Sequence, residues 1–85
     1  MPRIEWSKKA RKQVERIDRT LRPAIVGAVR GLANWPDCRN VKALAGREGF
    51  RLRVGRYRVL FTVHEGAVRI IRIEEVRKRD ERTYH

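Results

Sequence analysis

Apolar and polar residues alternate at a period of two along Phe50-Arg51-Leu52-Arg53-Val54-Gly55-Arg56-Tyr57-Arg58-Val59-Leu60-Phe61, and the alternation is interrupted at Gly55-Arg56. Period two is the pattern of strands with one buried face. A two-residue interruption with glycine first fits a type II′ turn, whose first central position needs positive φ. Counting outward from the turn pairs Val54 with Tyr57, Arg53 with Arg58, Leu52 with Val59, Arg51 with Leu60 and Phe50 with Phe61. The apolar residues are expected on one face and Arg51, Arg53 and Arg58 on the other. Like charges directly opposed across a strand pair destabilise it, so stability does not explain Arg53 facing Arg58. The pattern marks an anion-binding surface.

The rest of the chain arranges itself around this hairpin. Arg3 to Trp6 alternates and reads as a short opening strand with Ile4 and Trp6 inward, and Ser7 can cap a helix. Ala10, Val14, Ile17 and Leu21 recur at helical spacing among Lys8, Lys9, Arg11, Lys12, Arg16 and Arg19, which predicts an amphipathic first helix of about three turns. Pro23 suits the first turn of a second helix carrying Ala24, Ile25, Ala28, Val29, Leu32 and Ala33, which must stop near Asn34-Trp35-Pro36-Asp37. Residues 37–47 read as a loop in which Val41, Ala43, Leu44 and Ala45 could form a short turn on the core. Strands are expected at about 48–54, 57–64 and 67–76, with Glu65-Gly66 as a second two-residue turn and a bulge or two-sided burial at Ile70-Ile71. The expected fold is α+β in the order β-α-α-β-β-β, a two-helix hairpin packed on one face of a mostly antiparallel four-stranded sheet. The arginine face stays open, and the charged tail from Arg77 onward can lie beside it.

Composition sharpens the reading of that face. The chain has 85 residues, enough for one domain with a modest core. Lys and Arg number 22 against 10 acidic residues, a formal charge of +12, and 17 of the basic residues are arginine. Lysine serves solubility equally well, whereas arginine suits bidentate recognition of phosphate and stacking on bases. Polyanions are therefore the expected partners. A single cysteine, Cys38, excludes an internal disulfide and a zinc site of paired thiolates, and no metal or small-molecule cofactor is expected. No stretch approaches the ~20 apolar residues of a membrane span, and Met1-Pro2-Arg3-Ile4 leads into a charged helix, so a cytoplasmic location without membrane contact is expected.

At this point the chain resembles the RelE/ParE superfamily of bacterial toxins, small basic proteins neutralised by acidic antitoxins. The element order carries the resemblance, with Val41-Lys42-Ala43-Leu44-Ala45-Gly46, the hairpin itself, and a basic tail ending in tyrosine over residues 77–84. The RelE branch implies a metal-independent endoribonuclease that cuts mRNA on the ribosome by 2′-hydroxyl attack on the scissile phosphate and so stops translation. On that resemblance the catalytic residues are Arg51, Arg53, Arg58, Arg79 and Tyr84, with Arg79 chosen from Arg77, Lys78 and Arg79. Arg51 and Arg53 stand where the best-known member has lysines, and arginine cannot readily accept a proton. Candidates for proton transfer are then His85, Glu74, Glu75 and Tyr84. Lys8, Lys9, Lys12, Arg56, Arg77, Lys78 and Arg82 are candidate RNA contacts. The implied partners are mRNA, the ribosome and an acidic antitoxin.

Two other readings stand beside this one: a ParE-like toxin that inhibits DNA gyrase, and a non-catalytic RNA- or ribosome-binding protein. His64 is expected to be an ordinary exposed histidine, Cys38 a small loop residue, and Trp6 and Trp35 packing residues.

Overall fold

The computed structural model describes residues 2–79. Five strands, β1 (Arg3–Trp6), β2 (Val41–Ala43), β3 (Phe50–Val54), β4 (Tyr57–His64) and β5 (Ile70–Lys78), form one sheet in the order β1-β5-β4-β3-β2. β1 runs parallel to β5, and every other neighbouring pair is antiparallel. Gly55 adopts φ +56° and makes the tight turn between β3 and β4, whose register is the one counted from the alternation, with Arg53 opposite Arg58. The fold is the expected α+β arrangement with one strand more. Val41–Ala43 pairs with Phe50–Leu52 at the sheet edge, and three residues are too few to show a period.

Two helices, α1 (Lys8–Glu15) and α2 (Arg22–Arg30), cover one face of the sheet, and α2 runs into a 3₁₀ turn at Gly31–Asn34. Ser7 Oγ accepts from the Ala10 amide at 3.0 Å, the N-cap its position predicts. α1 has about two turns rather than three, because side chains outcompete the helical backbone after Glu15. Asp18 Oδ1 accepts from the Thr20 amide at 2.9 Å and from its hydroxyl at 2.8 Å. Arg22 meanwhile donates to the carbonyls of Ile17 and Glu15. The two bonds from Thr20 hold the Asp18 carboxyl below its ordinary pKa, the amide contributing most. The expected apolar stripe therefore splits: Ile17 is buried, and Leu21 is 45 % exposed.

The core lies between helices and sheet. Ala10, Ile17, Ile25, Val29 and Leu32 meet Leu52, Val59, Phe61, Ile71, Ile73 and Val76. Trp35 closes its end, edge-on to Phe50 and Phe61 with ring centroids 4.7 and 5.5 Å away. Trp6 also packs against this cluster. One apolar residue departs from the expected segregation: Leu60 is opposite Arg51 on the arginine face, yet only 6 % exposed.

Two expected features of β5 move. The bulge lies at Glu74, left unpaired between the pairs Leu60–Glu75 and Phe61–Ile73, and not at Ile70-Ile71, where the ladder is regular. The extra residue switches the inward positions from Ile71 and Ile73 to Val76, which is the break in periodicity the sequence carries. The connection into β5 spans residues 65–69, since His64 pairs with Ile70, and Arg69 Nε donates to Glu65 Oε1 across it at 2.6 Å. Beyond the end of β1, the edge of β5 is sealed by the helical layer. Ser7 Oγ donates to the Glu74 carbonyl at 2.9 Å, and Gln13 Oε1 accepts from the Val76 amide at 2.7 Å. Among the described residues no helix is long and apolar enough to cross a membrane.

Gln13→Ala leaves the Val76 amide without its acceptor and is expected to lower the unfolding free energy by about 1–2 kcal/mol, read as a lower urea midpoint at unchanged slope. Gly49 has φ +116°, and a Cβ there lies 3.0 Å from the Phe61 carbonyl oxygen. Gly49→Ala is expected to cost about 1–3 kcal/mol in the same measurement.

Candidate nucleic-acid interface

The turn at Gly55 brings Arg53 and Arg58 to one end of the open sheet face, and the two-residue period adds Arg51 on the same side. Arg79 follows β5, where its amide donates to the Arg56 carbonyl at 2.6 Å, which anchors it beside the turn. Arg51, Arg53, Arg58 and Arg79 line a cavity of about 130 Å³ together with Gly55, Arg56 and Tyr57. Arg51, Arg53 and Arg58 have no carboxylate within 4.0 Å among the described residues. The lining is thus dominated by positive charge and hydrogen-bond donors, chemistry that suits an anion.

The remaining sequence candidates separate into those at this cavity and those away from it. Arg56 lines the cavity. Arg77 sits opposite Arg58 on the open face, but its Nε is 3.2 Å from Glu75 Oε1, and Lys9 Nζ reaches the same oxygen at 3.0 Å. Both cations are therefore partly committed to an internal partner. The Glu75 carboxyl is held below its ordinary pKa, first by the Lys9 hydrogen bond and further by the charge of Arg77. Lys8 and Lys12 are exposed on α1 and line no part of the cavity, and Lys78, paired with Tyr57, points to the side opposite Arg77. Arg82, Tyr84 and His85 lie outside the described residues.

No carboxylate or imidazole is among the described residues that line the cavity. Glu74 is engaged by the Thr62 hydroxyl at 3.0 Å and by Arg72 at 3.2 Å, and Glu75 by Lys9 and Arg77. His64, bonded to the Thr62 hydroxyl, stands six residues from Arg58 on β4, about 20 Å at the strand rise. Cys38 is half-buried near the Gly31 carbonyl, and burial, then the charge of Asp37, pushes its thiol pKa up. It behaves as the loop residue expected. Tyr57 is the lining residue the sequence did not single out. Its parity assigns it to the core face, and only its position at the end of the hairpin brings it to the cavity.

The sequence matches the family described as ParE toxin of type II toxin-antitoxin system, parDE, over residues 4–82. The chain belongs to this family. Within the wider RelE/ParE superfamily its fold is similar to that of the RelBE2 toxin-antitoxin complex from Mycobacterium tuberculosis, with a TM-score of 0.78 at 24 % identity over 93 % of this chain and 100 % of that one. It is also similar to the archaeal RelE-RelB complex from Pyrococcus horikoshii OT3 (TM-score 0.76, 22 % identity, 94 % and 97 % covered). A third likeness is to the YoeB/ParE toxin from Agrobacterium tumefaciens (TM-score 0.75, 15 % identity, 92 % and 99 % covered). No curated protein matches the sequence.

If four arginines each neutralise one phosphate, single-stranded RNA is expected to bind with a log-log salt slope near −3, and Arg58→Ala to flatten it by about 0.7, measured by fluorescence anisotropy. Because the folded Glu75 carboxyl titrates below its unfolded value, its contribution to stability is present above about pH 4.5 and is lost as pH falls through the lower folded value. Denaturant unfolding of Glu75→Gln is expected to lose less stability between pH 6 and 3 than the parent does.

Proposed function

We propose that this toxin is an endoribonuclease that cuts mRNA on the ribosome. The observation that carries the proposal is the cavity of Arg51, Arg53, Arg58 and Arg79, in which the first three have no internal counter-charge among the described residues. In the proposed reaction the ribose 2′-hydroxyl attacks the adjacent phosphorus, its proton passes to an acceptor, and the bond to the 5′-oxygen breaks as that oxygen takes up a proton from solvent. The products are a 2′,3′-cyclic phosphate and a 5′-hydroxyl. Charge builds on the phosphoryl oxygens and on the leaving oxygen. Arg51, Arg53 and Arg58 hold the former, Arg79 stabilises the latter, and Tyr84 orients the nucleotide. Fixed cations aimed at developing charge supply much of such catalysis. Arginine, protonated up to a pKa above about 12, is a clamp and not a base. His85 is the proposed proton-transfer group, worth about 10²–10⁴-fold if it acts.

The +12 charge and the likeness to toxins bound to RelB antitoxins support an acidic antitoxin as the protein partner, folding over the same basic face. A second reading, inhibition of DNA gyrase, draws support from the lack of a carboxylate or imidazole among the described lining residues.

Translation in a cell-free extract is expected to stop with cleaved message. Arg58→Ala is expected to slow cleavage by on the order of 10²–10³-fold with no loss of thermal stability. Full inhibition over intact message rejects the nuclease reading, and trapped gyrase in a supercoiling assay with translation unaffected establishes the second.

A further inference from the structure

The arginine face carries a second cavity, of about 440 Å³, and its lining is unlike the first. Its floor is Leu60, 6 % exposed on the open side of the sheet and outside the main core cluster. Neighbouring hairpin positions on that side are Arg51, Arg53 and Arg58, so a leucine there is a local change of chemistry. One wall is Leu44 and Ala45, in the loop after β2, which a hydrogen bond from the Leu44 amide to the Gly49 carbonyl at 3.0 Å closes. The rim is Arg47, Arg51, Arg58 and Arg77.

Resting on the nuclease reading above, we propose that this cavity seats a nucleobase of the same strand whose phosphate the first cavity grips. Three observations carry the assignment. Arg51 and Arg58 line both cavities, so an occupant of the second lies directly beside a phosphate in the first, the arrangement within a nucleotide. An apolar floor under guanidinium rims suits a flat ring. The floor removes its face from water, and guanidinium planes stack on π-systems and donate to ring nitrogens and carbonyls. A guanidinium has donors and no acceptor atom, and on the rim only Arg77 has its Nε engaged by a carboxylate, Glu75, among the described residues, which favours base edges rich in acceptors. The volume is within the roughly 300–1,000 Å³ of small-ligand sites. An aliphatic side chain of an acidic peptide could use the floor, but it has no ring to meet the guanidinium planes.

The test compares a short fluorescent single-stranded oligonucleotide with the same ribose-phosphate backbone lacking its bases, at one salt concentration. The parent protein is expected to bind the strand with bases about tenfold more tightly, at the low end of stacking contributions. Leu60→Ser and Leu44→Ser are each expected to abolish most of that ratio while leaving affinity for the base-free strand unchanged, since arginines set it. Leu44 is in a loop, so its variant gives the reading even where Leu60→Ser fails to fold. Equal affinity of the parent for both strands overturns the base seat and leaves the phosphate grip standing. Binding of neither strand overturns the nuclease reading itself. Loss of affinity for a leucine-containing oligoglutamate in the two variants, with the base ratio intact, assigns the cavity to a protein partner and overturns the proposal.

Discussion

Burial of Leu52, Val59 and Phe61 on one side of a hairpin with a two-residue turn determines where Arg51, Arg53 and Arg58 point. Side chains on a strand alternate strictly, so a register that buries the apolar set must display the arginines together on the opposite face. The magnitudes agree with this order of control. Each fully buried apolar side chain contributes about 1.5–3 kcal/mol, whereas an opposed like-charge pair on an exposed face costs at most about 1 kcal/mol. The core wins, and the cationic surface is held in place by packing it takes no part in. Its repulsion is met during folding, and an anion bound there would relieve it.

The helical layer has a second role besides covering the core. β1 stops at Trp6, leaving part of β5 at an open edge just where the bulge at Glu74 disrupts the ladder. Ser7 and Gln13 complete the hydrogen bonding there, and Lys9 reaches Glu75 from the same helix. Glu75 in turn takes Arg77, which sits on the rim of the larger cavity. The start of α1 is thereby connected, through one carboxylate, to the orientation of a cation on the open face. This bridge separates the arginines into two kinds: Arg51, Arg53 and Arg58, without internal carboxylates among the described residues, and Arg77, already partnered.

That division bears on chemistry. The smaller cavity offers charge and donors but no carboxylate or imidazole among its described lining, so its evident capacity is to hold an anion and stabilise added charge on it. The larger cavity next to it offers an apolar floor. Side by side they have the chemistry that the proposed nucleotide needs, and Arg51 and Arg58 line both.

Much of this was legible in the chain alone because the relevant signals are local. The hairpin register follows from Gly55 and strict alternation over residues 50–61, and with it come the placement of Arg51, Arg53 and Arg58 on one face and the α+β order of elements. Features that depend on partners distant in sequence were not legible. β2 is too short to carry a period and exists because β3 offers it an edge. The early end of α1 has a local cause that a hydrophobic stripe does not report, the capture of backbone groups by Asp18 and Arg22. The bulge sits where Ser7 and Gln13 can satisfy it, from more than sixty residues away. The same holds for the site. A period of two assigns a side chain to a face, but the placement of Arg79 against the turn and of Leu60 in one cavity with Leu44 and Ala45 is decided by how separate segments pack, and that lives in the tertiary structure alone.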